Sequence, residues 1–141
     1  MTVYIDASFL VSVYIKDRHS SMTAELLRSR PQISLTPFHR AEWTHAIAQH
    51  VFRGVLTLPE ADNIYDQFAK DEAVGLWTEI PMPDHAFAVC IDLARRYGPN
   101  LGTRTLDSLH VACALEFKAT HFWTFDERQA KLAKAKGLKT N

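Results

Sequence analysis

Apolar positions along the chain fall into short β-rich runs separated by longer stretches of helical period. Val3-Tyr4-Ile5 is the first such run and ends at Asp6; Ala7 to Ile15 then reads as helix. Residues 20–29 predict a second short helix, with Ser20 or Ser21 as cap and Met22, Leu26 and Leu27 as its buried stripe. Ile33-Ser34-Leu35 reads as a strand. Thr36-Pro37 is a strong helix start, a threonine N-cap followed by proline at the first helical position. That helix is expected to reach about Arg53 and stop at Gly54. Leu58-Pro59-Glu60 opens another, with Ala61, Ile64, Tyr65 and Phe68 on one face and an end near Gly75. Leu76 to Ile80 predicts a strand, and Pro83-Asp84 starts a helix that Gly98-Pro99 is expected to end, leaving a loop over 98–104. Beyond the next helix, His121 to Phe125 reads as a strand ending at Asp126. Glu127 to Lys136 is then helical, Gly137 stops it, and Leu138-Lys139 forms a last short strand.

Strands that alternate with helices predict a parallel sheet covered by helices on both faces. No repeat, linker or low-complexity segment interrupts the pattern, so residues 1–141 read as a single α/β domain. A chain of 141 residues, 47% of them apolar, can bury a sizeable core. No apolar run reaches the roughly 18 residues a membrane span needs, and the first residues do not read as a signal peptide. A cytoplasmic setting is expected. Cys90 and Cys113 lie in apolar helical runs and are expected as buried, reduced thiols. The 16 basic residues balance the 16 acidic ones, which argues against a protein held on nucleic acid by bulk charge. It does not argue against a nuclease, whose acids would converge on one site.

The segment from Arg104 to Leu115 changes the picture. Thr105 is the expected N-cap, and Leu106, Leu109, Val111, Ala112, Cys113, Ala114, Leu115 and Phe117 make the helix apolar nearly all round. Such a helix belongs inside a domain. Asp107 nevertheless sits on its first turn, sharing a face with Val111 and Ala114. A carboxylate there is costly unless a cation, hydrogen bonds or the helix N-terminus offsets its charge.

Three further acids are placed to meet it. Asp6 and Asp126 each follow a strand, at the carboxyl edge where open α/β sheets build their sites; either is equally readable as a helix N-cap. Glu42 forms a polar stripe with His45 and Gln49, beside Phe38, Ala41 and Phe52, while Trp43, Ile47 and Val51 face elsewhere. Apolar residues on two sides predict a largely buried helix and a Glu42 near the core; the competing reading is a partly exposed acid paired with Arg40 or Arg53. Four carboxylates drawn together repel and need a cation. Oxygen-only ligands select a hard divalent ion, Mg²⁺ or Mn²⁺. Such an ion neutralises phosphate charge, activates water and stabilises a leaving oxygen.

Tyr4-Ile5-Asp6-Ala7-Ser8, Arg40-Ala41-Glu42, Arg104-Thr105-Leu106-Asp107-Ser108-Leu109-His110-Val111-Ala112 and Thr124-Phe125-Asp126-Glu127-Arg128 together resemble the motifs of PIN-domain ribonucleases, most closely the VapC-like toxins of bacterial toxin–antitoxin systems. The resemblance spans residues 4 to 128. It implies a three-layer α/β/α fold with a parallel sheet of four or five strands, and Mg²⁺- or Mn²⁺-dependent hydrolysis of RNA. It implies that Asp6, Glu42, Asp107 and Asp126 are the catalytic, metal-site acids, with Ser8 and Thr124 as supporting hydroxyls. Ala7 stands where many relatives carry threonine, with little expected consequence. It also implies a homodimer and a cognate antitoxin that blocks the acidic pocket.

Other polar residues carry blander expectations. His110 reads as structural, and His39, His45 and His50 do not share one helix face, so a zinc site is not expected. Arg104 could hold a substrate phosphate or pair with one of the acids, with Arg40 and Arg128 as weaker candidates of the same kind. Lys131, Lys134, Lys136 and Lys139 read as a solvated helix end, and Trp43, Trp77 and Trp123 as core. The rival functions are a PIN-like RNA- or protein-binding module without turnover and a stand-alone RNA-processing nuclease. An aspartyl-phosphate phosphatase or receiver domain fits poorly, because Asp6-Ala7-Ser8 lacks the second acid of the phosphatase pair.

Overall fold

All three residues of β1 (Val3–Ile5) are buried, as a parallel strand covered on both faces requires. In the computed structural model, which describes residues 1–141, β1 pairs in parallel with β4 (His121–Trp123), bringing Val3 opposite His121 and Ile5 opposite Trp123. β4 pairs in parallel with β5 (Lys139–Thr140), and β2 (Ser34–Leu35) with β3 (Thr78–Glu79). The five strands are thus parallel in every pairing, as predicted, but they form two ladders, β1-β4-β5 and β2-β3. β2 packs into the same core as β1 without sharing a ladder with it. The Ile5 carbonyl instead accepts a hydrogen bond from the His39 ring (2.8 Å).

Seven helices cover the strands: α1 (Ala7–Tyr14), α2 (Ser20–Leu27), α3 (Pro37–Phe52), α4 (Leu58–Ala73), α5 (Ala86–Leu101), α6 (Thr105–Glu116) and α7 (Glu127–Ala135). Side chains alternate across a strand, and this alternation creates two cores. Val3, Ile5 and Trp123 pack with Phe9 and Leu10 of α1, Trp43 and Ile47 of α3 and Phe68 of α4. Tyr4 and Phe122 point the other way, toward Leu93 of α5, Leu109 and Ala112 of α6 and Leu132 of α7. The result is the expected three-layer α/β/α arrangement. The three tryptophans are core residues, and both cysteines are buried and free. Burial pushes the Cys113 thiol up to about 11, so it stays protonated.

Several local expectations change. Arg104, not Thr105, is the N-cap of α6. On α2, His19 takes the N-cap position and Met22 is exposed, while Thr23 is the buried residue and bonds Ser12 (2.6 Å). α5 runs through Gly98-Pro99 to Leu101, where Gly102 ends it at φ 65°. Pro99 lies in the last turn, so its missing N–H costs a single ladder bond while α5 keeps its packing along α6. The loop therefore shrinks to residues 102–104. β4 ends at Trp123, two residues earlier than predicted. α3 buries only one face, through His39, Trp43 and Ile47, and leaves Phe52 91% exposed.

Candidate active site

Parallel neighbours in a sheet end at the same edge. Because Ile5 lies beside Trp123, the chain segments that leave β1 and β4 run side by side, and Asp6 arrives next to Thr124. Asp6 caps α1, its Oδ1 accepting from the Phe9 amide (2.9 Å). The Ser8 hydroxyl donates to the same carboxylate (2.7 and 2.8 Å to its two oxygens), and Thr124 Oγ1 donates to Oδ2 (2.7 Å). Those hydroxyls also accept, Ser8 from the Phe125 amide (3.0 Å) and Thr124 from the Asp126 amide (2.9 Å). Ser8 and Thr124 therefore stitch the two strand ends together around Asp6. Asp6 is fully buried, and burial lifts its carboxyl above the usual carboxylate range. The nearby His110 and the hydrogen bonds from Phe9, Thr124 and Ser8 pull the other way without cancelling it.

Asp107 is 5% exposed and sits at the third position of α6. Its Oδ2 accepts from the Arg104 amide (2.9 Å) and its Oδ1 from Gln129 Nε2 (3.3 Å). Hydrogen bonds and the positive end of the helix thus offset its charge. The Arg104 guanidinium, 74% exposed, stays 3.8 Å away. Asp126 caps α7, its Oδ1 accepting from the amides of Arg128 (2.9 Å) and Gln129 (3.0 Å). For Asp6 and Asp126 the cap and the cavity-lining positions are the same position. Glu42 is 23% exposed and pairs with the His110 ring, not with Arg40 or Arg53. Arg40 is committed to Glu72 and Glu79, which removes it as a phosphate ligand, and Arg53 bonds Gln49.

Asp6, Glu42, Asp107 and Asp126 line one cleft of about 450 Å³, together with Ala7, Ser8, Arg104 and Gln129. The four acids come from four separate segments, so only tertiary structure unites them. They do not close into a cage: no three His, Cys, Asp or Glu side chains stand near enough to grip one ion in this conformation. The bonds that hold Asp6, Asp107 and Asp126 to nearby amides and hydroxyls keep each on its own wall. The donor set still suits a hard cation. It is all oxygen, and Glu42 Oε2 and Asp126 Oδ2 carry no protein hydrogen bond. An open set of this kind matches Mg²⁺, which commonly keeps several waters and takes one or two carboxylates. Of the three histidines on α3, His39 is buried, His45 bonds the Ala41 carbonyl and His50 the Ala46 carbonyl.

Gln129 is the cleft residue that sequence reasoning missed. It is 7% exposed, and its Oε1 is buried without a partner. The available signal was its place on the buried stripe of α7, one turn before Leu132 and Ala133. His110, which the sequence reads as structural, is 1% exposed and contacts Glu42, a pairing that no local pattern signals.

The PIN-domain family model matches residues 3–135. Three of the solved structures to which the chain is similar in fold are a toxin and two related proteins or complexes. VapC20 of Mycobacterium tuberculosis, a toxin that cleaves the sarcin–ricin loop, superposes with TM-score 0.69 at 12% identity over 92% of this chain and 94% of that one. FitAcB of Neisseria gonorrhoeae gives 0.70 at 14% identity over 99% and 96%. VapBC2 of Rickettsia felis, bound to a fragment of its promoter DNA, gives 0.68 at 15% identity over 100% and 98%. No curated protein sequence is significantly similar. With the family match extending over almost the whole α/β/α domain and every acid of the cleft, the chain belongs to the PIN-domain family.

Proposed function

We propose that the protein is an Mg²⁺- or Mn²⁺-dependent endoribonuclease that acts as a toxin and is neutralised by a cognate antitoxin. The observation that carries this reading is the cleft itself, in which four carboxylates from distant segments face one space with a guanidinium at its rim. A divalent ion bound there would neutralise phosphate charge and ease deprotonation of water. The chain does the rest. Ser8, Thr124 and the Phe9 amide hold the Asp6 carboxylate in place. Arg104 and Gln129 hold Asp107, and α7 holds Asp126. Glu42 and Asp126 each keep one oxygen free for a cation or its waters. Arg104, exposed and only loosely paired, takes a phosphate oxygen of the incoming strand.

RNA as substrate and an antitoxin as partner are supported by the motif resemblance and by the structural relatives, among them a toxin–antitoxin complex from Klebsiella pneumoniae (TM-score 0.57, 12% identity). A homodimer belongs to the same reading. No helix is long and apolar enough to cross a membrane. The test is cleavage of RNA with Mg²⁺, with EDTA, and with Asp107→Asn and Asp6→Asn. Cleavage should need the metal and fall at least about 100-fold in either variant, as loss of a group acting on the transition state does. Wild-type rates in the variants would overturn the assignment, and metal-dependent RNA binding without cleavage would favour the binding module.

A further inference from the structure

His110 is 1% exposed, touches a cleft carboxylate, and is left without a task by the mechanism above. Its ring packs at a tilt against Phe38 (centroids 4.3 Å apart) and lies edge-on to Tyr4 and His39. Both ring nitrogens are engaged. Nδ1 is 2.8 Å from the Tyr4 hydroxyl, and Nε2 meets Glu42 Oε1. An ionised carboxylate only accepts, so the hydrogen between Nε2 and Glu42 resides on Nε2. Tyr4 is fully buried, and burial holds its phenol protonated. In the neutral ring Nδ1 is then the acceptor, and the Tyr4 hydroxyl donates to it. The bonds run in one direction, from β1 through the interior of α6 to a carboxylate at the cleft on α3.

We infer that His110 is the positioning residue for Glu42, presenting Nε2–H to one carboxylate oxygen so that the other is turned to the cleft. Glu42 needs such a device more than its partners do. Asp6, Asp107 and Asp126 lie at helix starts and are held by backbone amides. Glu42 lies within the second turn of α3, where its own helix offers no free amide, and its longer side chain has more rotamers to lose. A buried donor behind a cation-facing carboxylate fixes its orientation, and removing such a group typically lowers metal affinity by roughly 10–100-fold. Tyr4, itself locked in the sheet, sets which ring nitrogen carries the hydrogen.

This inference rests on the cleft being a divalent-cation site, so its test has one arm that needs no metal. In metal-free protein labelled with ¹⁵N-histidine, long-range ¹H–¹⁵N spectra should show His110 protonated at Nε2. Glu42→Gln should move that proton upfield by weakening a charge-assisted bond. A His110 protonated at Nδ1 alone, or an Nε2–H resonance indifferent to Glu42→Gln, overturns the inference whatever the cleft binds. The second arm measures Mn²⁺ binding by calorimetry. His110→Leu should weaken it at least about 10-fold, whereas His110→Gln, whose amide nitrogen can replace Nε2–H, should stay within about threefold of wild type. In the Glu42→Gln background His110→Leu should cost nothing further, because the two act as one unit. Should His110→Leu not fold, Glu42→Gln and His110→Gln still decide: Mn²⁺ affinity unchanged in Glu42→Gln overturns the inference. Wild-type protein that binds no Mn²⁺ defeats the cation site instead, leaving the spectra to judge the pair.

Discussion

His39 makes the stability of this protein depend on acid in a way that can be worked out from its contacts. The ring is fully buried at the start of α3. Nδ1 accepts from the Thr36 amide (3.0 Å), so it carries no hydrogen, and Nε2–H donates to the Ile5 carbonyl (2.8 Å). The bond at Nδ1 requires the neutral ring, because a protonated Nδ1 cannot accept, whereas the Nε2–H bond survives protonation. Burial, reinforced by the neighbouring His110, pushes the imidazole from 6.5 down to about 3, against a smaller opposing effect of the Ile5 carbonyl. Above the ordinary imidazole value, folded and unfolded chains both keep His39 neutral. As pH falls below it, the unfolded chain takes up a proton that the folded chain refuses, so stability is lost. At pH 5, about 1.5 units below the unfolded value, the loss is about 2 kcal/mol at 1.36 kcal/mol per unit, roughly a 30-fold shift toward unfolding. Asp6, raised by burial, acts in the opposite sense, since its charging costs stability as pH climbs through the carboxylate range. A difference measurement removes it. Urea unfolding of wild type and His39→Gln in EDTA at pH 7.5 and 5 should show the wild-type advantage shrinking by about 2 kcal/mol on acidification. Parallel pH curves would show that the folded protein protonates His39 readily, and the reasoning would fail.

Three further expectations follow from the packing and the cleft. Ser8→Ala removes a hydroxyl that serves both Asp6 oxygens and the Phe125 amide, and should cost about 1–3 kcal/mol in urea unfolding; a cost under about 0.5 kcal/mol, the range of an ordinary surface change, would mean water replaces it fully. Phe9→Ala empties a fully buried site between Trp123 and Phe125 and should cost about 3–5 kcal/mol by the same assay, with a value near 1 kcal/mol indicating collapse of the cavity. Gln129→Glu sets a second carboxylate against Asp107. It should lower the melting temperature in EDTA and enlarge the rise produced by Mn²⁺; equal Mn²⁺ shifts in wild type and variant would place Gln129 outside the cation's reach.

Much of the fold is local in origin and was legible from local signals. Thr36-Pro37 and Thr57 start α3 and α4 through side-chain caps, and Gly54 and Gly75 follow their ends at positive φ. The errors came where packing outweighed a local rule. Pro99 reads as a helix stop, but α6 lies alongside α5 and the helix continues for two more residues. Met22 reads as part of an apolar stripe, yet Thr23 is buried because Ser12 of α1 offers its hydroxyl a partner.

The sequence by itself determined which acids stand out: a carboxylate on a helix with no polar face, two more after predicted strands and a fourth on a polar stripe, each costly or conspicuous where it stands. It also determined the alternation of strands and helices that places strand ends at one edge. Tertiary structure alone decided how those acids are held. The parallel register of β1 and β4 sets Thr124 beside Asp6, the approach of α7 brings Gln129 to Asp107, and the crossing of α3 with α6 gives Glu42 a buried histidine for a partner. Those contacts join residues 22 to 118 positions apart. A local pattern reports a residue's own cost of burial, but which group offsets that cost is settled only when the elements pack.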